Sequence, residues 1–402
     1  MFRLFYALCQ CKALFRKVNR HTSVEENRRT FATLLTTENA ACNLSIYCCV
    51  ATFKLSFISV FETIVLRIEF VACESTIINF AYVRFVGSRN FIKAIEAMYH
   101  CTMCDACAND CETGWKPTDF IREARMYCVA NEVAPAAINT AIDNILTKGN
   151  IYGEALNEKL AARIEALPET ADVLVYIGQT GRCFGADSAI SFLNILDKAK
   201  VGYTTLKDEP PTGALLGDMM GMTGDVQSVA VRAAEAIKAS NAEKVVVLSP
   251  YDAVMLREQY AKWSLLDGIE IVSAPAFLAE LISGGRLSLR KADLKASLQE
   301  PVKLTRGLDE IEPLKKVVSA LGVDNIELFL NGKMSRCVGT AIMECYDPYV
   351  AKRMVEVRLD DARRIGSNVI ITASPDDSFI MGKYAADDVT IIDLFGLIDS
   401  NC

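Results

Sequence analysis

Short apolar runs alternate with amphipathic stretches through most of the second half of the chain. The runs predicted as strands are residues 172–178, 244–248, 269–273, 327–330, 368–372 and 390–393. The stretches predicted as helices are residues 187–200, 226–240, 252–263, 276–283 and 347–365, with a further short helix that carries Lys383. Because strands that alternate with helices are typical of parallel sheets with right-handed crossovers, this half is predicted to be α/β.

The preceding segment, residues 86–168, has only the helical pattern. Residues 91–100, 118–132 and 134–166 place apolar side chains at three- and four-residue spacing. We therefore predict an α-helical segment followed by the α/β part. Residues 178–185 are rich in glycine and are predicted to form a turn. Their glycines fit no nucleotide-loop pattern, so no such site is predicted.

Two parts of the α/β region repeat each other. Each has an apolar strand that ends in Ser-Pro-x-Asp, preceded at a similar distance by a glycine. The matching positions are Ser249 to Asp252 with Gly213, and Ser374 to Asp377 with Gly339. We predict two copies of one α/β half-domain, residues 169–300 and 301–402, related by pseudo-twofold symmetry.

Residues 1–85 differ in composition from the rest of the chain. There is no glycine before Gly87, and the mostly apolar stretch 43–61 is interrupted by Lys54. A membrane-spanning helix needs roughly 20 predominantly apolar residues, so this stretch is not predicted to cross a membrane. A disordered region, a mis-started sequence and a shifted reading frame are the alternatives for residues 1–85.

The composition excludes several classes of protein. Apolar residues make up 51% of the 402 positions, the net charge is −7, and no dense Lys/Arg cluster is present. These features do not fit a disordered chain or a nucleic-acid-binding protein. Only two histidines, His21 and His100, are available for catalysis or metal binding. Fifteen cysteines on a chain of this size fit a reducing, cytoplasmic setting with metal-bound thiolates better than a disulfide framework.

Four of the cysteines form one Cys-x2-Cys-x2-Cys-x3-Cys run. They are Cys101, Cys104, Cys107 and Cys111. Thiolates are soft ligands that suit iron–sulfur clusters, and this spacing is the one found in bacterial ferredoxins. We therefore predict that these four cysteines bind a [4Fe–4S] cluster. A zinc site and free thiols are the alternatives, although zinc sites usually use two separated Cys-x2-Cys pairs.

The run leaves the fourth cluster ligand open. In two-cluster ferredoxins the last cysteine of such a run binds the other cluster, and no second run of this spacing is present here. The fourth ligand is therefore Cys111 in an altered geometry, a remote thiol such as Cys73 or Cys128, or an open position. The proline that usually follows the last cysteine is also replaced, by Glu112.

The stretch from Ser88 to Cys402 resembles the family that contains the iron–sulfur subunits of heterodisulfide reductase and glycolate oxidase. Residues 97–107 are similar to the approach to that family's second ferredoxin run. The family's Cys-Cys-Gly positions fall on residues 211–213 and 337–339, and its Cys-Pro-x-Cys positions on residues 249–252 and 374–377. The resemblance implies a ferredoxin-like domain over residues 86–168, followed by two Rossmann-like, cysteine-rich "CCG" repeats.

Most cluster ligands of those repeats are absent from this chain. Of the ligand positions that can be placed, only Cys337 keeps a thiol, so no cluster within the repeats and no catalytic residue is expected. Asp252 and Asp377 are predicted to cap the helices that they begin, and a hard-cation site is the alternative. Cys183 is predicted to be a buried small side chain, and a reactive thiol is the alternative.

We therefore expect an electron-transfer subunit of an anaerobic-type oxidoreductase complex, similar to heterodisulfide reductase, whose repeats serve as a docking scaffold. The expected partners are other redox subunits that contain flavin or iron–sulfur clusters. Nucleic acid is not an expected partner, and membrane association is expected only through those subunits. The alternatives are a structural or regulatory subunit that has lost the catalytic cluster, and a small-molecule-binding protein that uses the cleft between the repeats. No acid–base pair supports an independent enzyme.

Overall fold

The computed structural model describes residues 57–60, 63–66 and 91–402. Strands β1 (Phe57–Val60) and β2 (Thr63–Leu66) form an antiparallel pair. All other described elements belong to a separate compact unit. The predictions for residues 1–85 and for the apolar stretch 43–61 fall almost entirely outside the described residues. Within the described part of the chain, no helix is long and apolar enough to cross a membrane.

Between residue 91 and the first sheet, the regular elements that the structure describes are all helices. The helices are α1 (Phe91–Tyr99), α2 (Ala106–Asn109), α3 (Pro117–Ala130), α4 (Ala136–Lys148) and α5 (Glu158–Glu165). The predicted helices over residues 91–100 and 118–132 are confirmed, and the stretch 134–166 contains two helices separated by a non-helical segment at residues 149–157. α3 begins at a proline, whose fixed φ suits the first turn of a helix. α4 ends at Gly149, which has the left-handed conformation common at helix C-termini.

The first sheet consists of parallel strands in the spatial order β4–β3–β5–β6. They are β3 (Val173–Tyr176), β4 (Tyr203–Thr205), β5 (Lys244–Val247) and β6 (Glu270–Ser273). The helices around them are α6 (Gln179–Cys183), α7 (Ala186–Lys198), α8 (Ala214–Met220), α9 (Gly224–Ala239), α10 (Pro250–Val254), a π-helical turn (Met255–Gln259), α11 (Tyr260–Lys262) and α12 (Ala274–Ser283).

The second sheet has four parallel strands in the order β8–β7–β9–β10. They are β7 (Lys295–Gln299), β8 (Asp324–Asn325), β9 (Val369–Thr372) and β10 (Thr390–Asp393). The helices are a π-helical turn (Lys303–Gly307), α13 (Ile311–Ala320), a 3-10 turn (Gly332–Met334), α14 (Ala341–Tyr346), α15 (Pro348–Arg364), α16 (Pro375–Lys383) and α17 (Leu394–Asn401). Counted along the chain, both sheets have the order second, first, third, fourth, so the prediction of parallel α/β structure is confirmed.

The two sheets share one apolar core. Val175 of the first sheet and Leu298 and Ile371 of the second belong to the same cluster of buried side chains. α7 packs against α17, and the rings of Phe192 and Phe395 lie 5.1 Å apart between centroids. A second apolar cluster joins the helices α1, α3 and α4 to the opposite side of the first sheet. Removal of this apolar surface from water therefore fixes the cysteine-bearing segment to the α/β part.

Two local predictions are wrong, and two strands were not predicted. Residues 327–330 form no strand, because β8 lies just before them and the ring of Phe329 is 78% exposed. Residues 179–183 form α6 instead of a turn. The strands that the pattern missed are β4 and β7. β7 buries two polar side chains, Ser297 and Gln299, which interrupt its apolar pattern.

Candidate functional site

The cysteine run begins in the short loop between α1 and α2. Cys101 and Cys104 are partly buried in this loop, and Cys107 is exposed on α2. Met103 and Asp105 have positive φ angles of 55° and 59°. A non-glycine residue adopts such an angle at a cost of roughly 1–2 kcal/mol. Left-handed residues gather successive backbone N–H groups into concavities of the kind that bind anions and iron–sulfur clusters.

Three cationic side chains bind the backbone carbonyl groups of this loop. The bonds run from Arg125 to Cys101 at 2.5 Å, from Lys303 to Met103 at 2.6 Å and from Arg306 to Cys104 at 2.6 Å. Arg125 is fully buried on α3, whereas the other two cations lie on the π-helical turn after β7. In a trans peptide the N–H group points away from the carbonyl group. The N–H groups of these three peptide units therefore point away from the cations that bind their carbonyl groups.

The thiols of Cys101, Cys104 and Cys107 lie close enough to influence one another's ionisation. Burial raises the pKa of Cys101. The pKa of Cys107 is raised to about 11 by desolvation of the sulfur, although the residue as a whole is exposed, and by the charges of Cys101, Cys104 and Asp105. Each sulfur also accepts a hydrogen bond from a nearby backbone N–H group, which favours the thiolate form. The donors are Met103 for Cys101, Ala106 for Cys104 and Ala108 for Cys107.

A fourth thiol, Cys337, reaches this loop from the turn that precedes α14. The Cys337 thiol forms a hydrogen bond with the Cys104 sulfur, and the Thr102 hydroxyl bonds to both sulfurs. The bond between the two thiols lowers the pKa of Cys104 and raises the pKa of Cys337. The sequence shows that Cys337 is the one placed ligand position of the repeats that keeps a thiol, but it does not show that Cys337 lies near the cysteine run. Its contact with the cysteine run is a product of the tertiary structure.

Cys111, the last cysteine of the run, contacts its own loop. Its sulfur lies 3.1 Å from the Thr113 hydroxyl, and this hydrogen bond lowers the pKa of the thiol. Cys128 is fully buried in the apolar core, where burial raises its pKa to about 11. Cys73 lies outside the described residues. Of the four predicted ligands, Cys101, Cys104 and Cys107 therefore lie near one another, whereas Cys111 contacts only its own loop. Cys337, which was not among the predicted ligands, lies beside Cys104.

The side chains fit a cluster better than a single ion. Among the described residues, no group of three or more His, Cys, Asp or Glu side chains stands close enough to hold a metal ion. A cubane cluster spreads its thiolates over four iron atoms, so its ligands stand further apart than those around one ion. Soft thiol donors, N–H groups bonded to sulfur and the cations Arg125 and Arg306 beside the thiols all suit a negatively charged cluster.

A second group of titratable side chains lies where the two halves of the α/β part meet. Asp376 bonds to Thr180 and Ser249 of the first half, and its charge acts on Asp252. Burial raises the pKa of Asp252 and the pKa of Asp377 to about 7. Because a buried carboxylate is costly without a cation, both groups favour the neutral form more than an exposed aspartate does.

The prediction that Asp252 and Asp377 cap their helices is wrong. Ser249 and Ser374 occupy the N-cap positions of α10 and α16, and each aspartate is the third residue of its helix. The Ser374 hydroxyl accepts a hydrogen bond of 3.1 Å from the backbone N–H of Asp377. The Asp252 carboxylate instead accepts a hydrogen bond from the buried Thr212 hydroxyl. Both copies of the motif therefore bury the aspartate, whereas only the second copy caps its helix through the serine side chain.

A cavity of about 270 Å³ lies at the carboxyl ends of β3 and β5. Its lining includes Tyr176, Arg182, Cys183, Glu209 and Asp252. Cys183 is buried, as predicted, and burial raises its pKa to about 11. Its thiol therefore stays protonated at neutral pH, which does not suit a nucleophile.

The chain is similar at low identity to two curated proteins. One is a probable membrane-anchored ferredoxin of Chromohalobacter salexigens, 25% identical over 296 residues, which cover 70% of this chain and 44% of that protein. The other is the probable iron–sulfur-binding oxidoreductase FadF of Bacillus subtilis, 21% identical over 327 residues, which cover 75% of this chain and 46% of FadF. The chain therefore spans less than half the length of these relatives.

No family model matches the chain. Among solved structures, the glutamate racemase isoform RacE1 of Bacillus anthracis is similar over 57% of this chain and 79% of its own, with 15% identity and a TM-score of 0.31. A likeness at this level transfers neither a fold nor an activity. The two curated relatives thus support an iron–sulfur oxidoreductase type of protein, without the narrower resemblance to heterodisulfide reductase.

Proposed function

We propose that this chain is the iron–sulfur electron-transfer part of an oxidoreductase complex similar to heterodisulfide reductase. The observation that carries the proposal is the convergence of thiols on one loop whose carbonyl groups are bound by Arg125, Lys303 and Arg306. The names of both relatives, a ferredoxin and an iron–sulfur-binding oxidoreductase, support the same chemistry. No catalytic residue is part of this proposal.

The proposed cofactor is a [4Fe–4S] cluster, which supplies one-electron transfer when bound. Cys101, Cys104 and Cys107 are its proposed ligands from the cysteine run. The buried guanidinium of Arg125 and the side chain of Arg306 lie beside the thiols and offset negative charge there. These cations also fix the loop backbone, so the sulfurs keep their positions when the charge of the site changes.

The α/β part is proposed to act as a docking scaffold for other redox subunits that contain flavin or iron–sulfur clusters. We propose that residues 86–168 form a ferredoxin-like domain and that the two sheets belong to Rossmann-like repeats related by pseudo-twofold symmetry. The shared strand order of the two sheets supports this arrangement. The nine free cysteines of the described residues support a reducing, cytoplasmic location, with any membrane contact made through partner subunits.

Anaerobic purification of the full chain tests the proposal. About four iron atoms and four sulfides per chain are expected, with an EPR signal that appears on reduction with dithionite. A chain that holds zinc in place of iron, or iron far below one cluster without a reducible signal, would refute it.

A structural or regulatory subunit is the second candidate. It is favoured by the loss of cluster ligands in the repeats, where Ser249 and Ser374 occupy helix N-cap positions. In that case the cluster holds the helical segment together and carries no electrons. A cluster that resists strong reductants, and whose removal unfolds the helices α1–α4, would favour this function over electron transfer.

A further inference from the structure

We propose that Cys337, and not Cys111, is the fourth thiol ligand of the cluster. This inference rests on the proposed function, because it assumes an iron–sulfur cluster at the Cys101–Cys107 loop. It assigns a role to Cys337, the one family ligand position in the repeats at which a cysteine remains. It also completes a ligand set that the cysteine run leaves open. The cluster would then be held jointly by the helical segment and by the second half of the α/β part.

The first argument is direct contact. The sulfurs of Cys104 and Cys337 are hydrogen-bonded, and the Thr102 hydroxyl lies within hydrogen-bonding reach of both. Two thiols that are distant in sequence and share one hydroxyl partner lie at the same site. Soft sulfur ligands collected from separate segments are the normal way in which a protein encloses a cluster.

The second argument is that one side chain, Arg306, fixes both segments that carry these thiols. Its Nε donates to the carbonyl of Cys104 at 2.6 Å. Its Nη1 donates to the carbonyls of Lys333 and Ser335, at 2.8 Å and 2.7 Å, just before Cys337. A planar guanidinium holds its donors in a rigid fork. Arg306 therefore links the two thiol-bearing segments directly.

The turn after Cys337 also contacts the thiol, because the Cys337 sulfur lies 3.5 Å from the backbone carbonyl oxygen of Gly339. Gly339 has a φ of +114°, which a residue with a side chain rarely adopts, and the next residue, Thr340, is the N-cap of α14. The Thr340 hydroxyl accepts a hydrogen bond of 3.0 Å from the backbone N–H of Met343. The backbone of Cys337 is thus held between Arg306 on one side and the start of a helix on the other.

The third argument concerns Cys111. Its sulfur lies 3.1 Å from the Thr113 hydroxyl and also bonds to backbone N–H groups of Thr113, Gly114 and Trp115, all in its own loop. In ferredoxins with two clusters, the fourth cysteine of such a run serves the second cluster, so its sulfur is directed away from the first. No second run of this spacing is present in the given sequence, so a second cluster for Cys111 is not part of this proposal.

The test compares matched single-cysteine variants of the full chain after anaerobic purification. Cys337→Ala and the closer isostere Cys337→Ser should lose at least one iron per chain and change the EPR signal, whereas Cys111→Ala should keep the wild-type iron content and spectrum. Cys402→Ala, at the C-terminus, is the control for loss of any thiol. Normal iron in both Cys337 variants, or loss of iron in Cys111→Ala alone, would overturn the inference.

A second measurement does not depend on whether the variants fold. In iron-free wild-type chain, the thiol oxidant diamide should link Cys104 to Cys337, as detected by peptide mass spectrometry, and bound iron should protect both thiols. A link from Cys104 to Cys111 in its place would contradict the inference. Wild-type chain that binds no iron at all would defeat the proposed function itself, whereas iron-loaded wild type with an unaffected Cys337→Ala defeats only the present inference.

Discussion

The two sheets have the same strand order, yet the corresponding turns before α8 and α14 carry different chemistry. In the first half, the Pro-Thr-Gly turn places the Thr212 hydroxyl on the buried carboxylate of Asp252. In the second half, the Cys-Val-Gly turn places the thiol of Cys337 on Cys104. Each turn keeps a glycine with positive φ. The same backbone turn can therefore carry a thiol in one half and, in the other half, a hydroxyl bonded to a carboxylate.

The two halves also differ in the groups that surround their buried titratable side chains. The half with Asp252 surrounds its titratable groups with hydroxyls, and burial brings the pKa of this carboxyl to about 7. The loop that meets Cys337 is bound instead by cations. Arg125 is fully buried, and Arg306 bonds both to the carbonyl of Cys104 and to the carbonyl of Ser335. Hydroxyls suit neutral acids, whereas cations suit thiolates and a negative cluster.

The largest effect is expected at Cys104, where the two thiol-bearing segments meet. Cys104→Ala removes both a run thiol and the partner of Cys337, so iron should fall below about a tenth of the wild-type content, because the cluster then loses the ligand at which its two binding segments meet. Iron and sulfide analysis after anaerobic purification measures the change. The chain with Cys183→Ser, a substitution in the first half, should keep the wild-type iron content. Equal losses of iron in both variants would contradict the assignment of the cluster to the Cys104 loop.

The next effect is on stability, through Arg125. Arg125→Met leaves the carbonyls of Met98, Cys101 and Asp218 without their buried donor. The free energy of unfolding should fall by roughly 3–5 kcal/mol, as when one partner of a buried polar network is removed. Urea denaturation of the iron-free chain measures it. Arg232→Met, at an exposed position on α9, should change stability by no more than about 0.5 kcal/mol.

The third effect is a pH dependence that belongs to Asp252. Its pKa rises from 3.8 to about 7 in the folded chain. Between these values the unfolded chain has released a proton that the folded chain keeps, so stability falls as pH rises through this window and is level above it. Asp252→Asn should flatten the decline by an amount on the order of 3 kcal/mol.

Urea titrations at several pH values between 4 and 8 measure this contribution. Asp387→Asn, at an exposed position, serves as the control and should leave the slope of stability against pH unchanged. An unaltered slope in Asp252→Asn would show that this carboxyl is not held neutral by burial.

The smallest effect compares the two turn glycines. Gly213 and Gly339 have φ angles of +89° and +114°, so an alanine at either position is strained. Each substitution should lower the free energy of unfolding by about 1–2 kcal/mol. Gly202→Ala, where a new Cβ meets nothing within 4 Å, is the matched control. Thermal melts measure all three, and an unchanged melting temperature in Gly339→Ala would show that the second turn can relax.

The sequence pattern found the long elements because their apolar spacing is unambiguous. α15 and β5 are examples, and both were placed within a few residues of their observed bounds. It missed β7, whose Ser297 and Gln299 are buried only because they bond to the backbone carbonyls of Ile326 at 2.7 Å and Arg336 at 3.1 Å. Polar side chains in a central strand look like a surface pattern until their partners are known.

In the candidate site, too, the sequence predicts some of the residues and not others. The spacing from Cys101 to Cys111 indicates thiolate ligands, but nothing in that spacing points to Cys337. The cations Arg125 and Arg306 likewise carry no local signal, since their roles depend on carbonyl groups in another segment. The chemistry of a ligand is local, whereas the closure of a ligand set depends on packing.

By itself, then, the sequence determined the helical segment, the parallel α/β class, the matched Ser-Pro-x-Asp turns and the presence of a thiol run, because each rests on residues that are near one another in the chain. Only the tertiary structure decided which thiols meet and which acids are buried together. Burial of apolar surface between α7 and α17 and between the helices and the first sheet brings those segments into contact. The hydrophobic effect is non-directional, so it leaves no motif in the sequence for the contacts that it enforces.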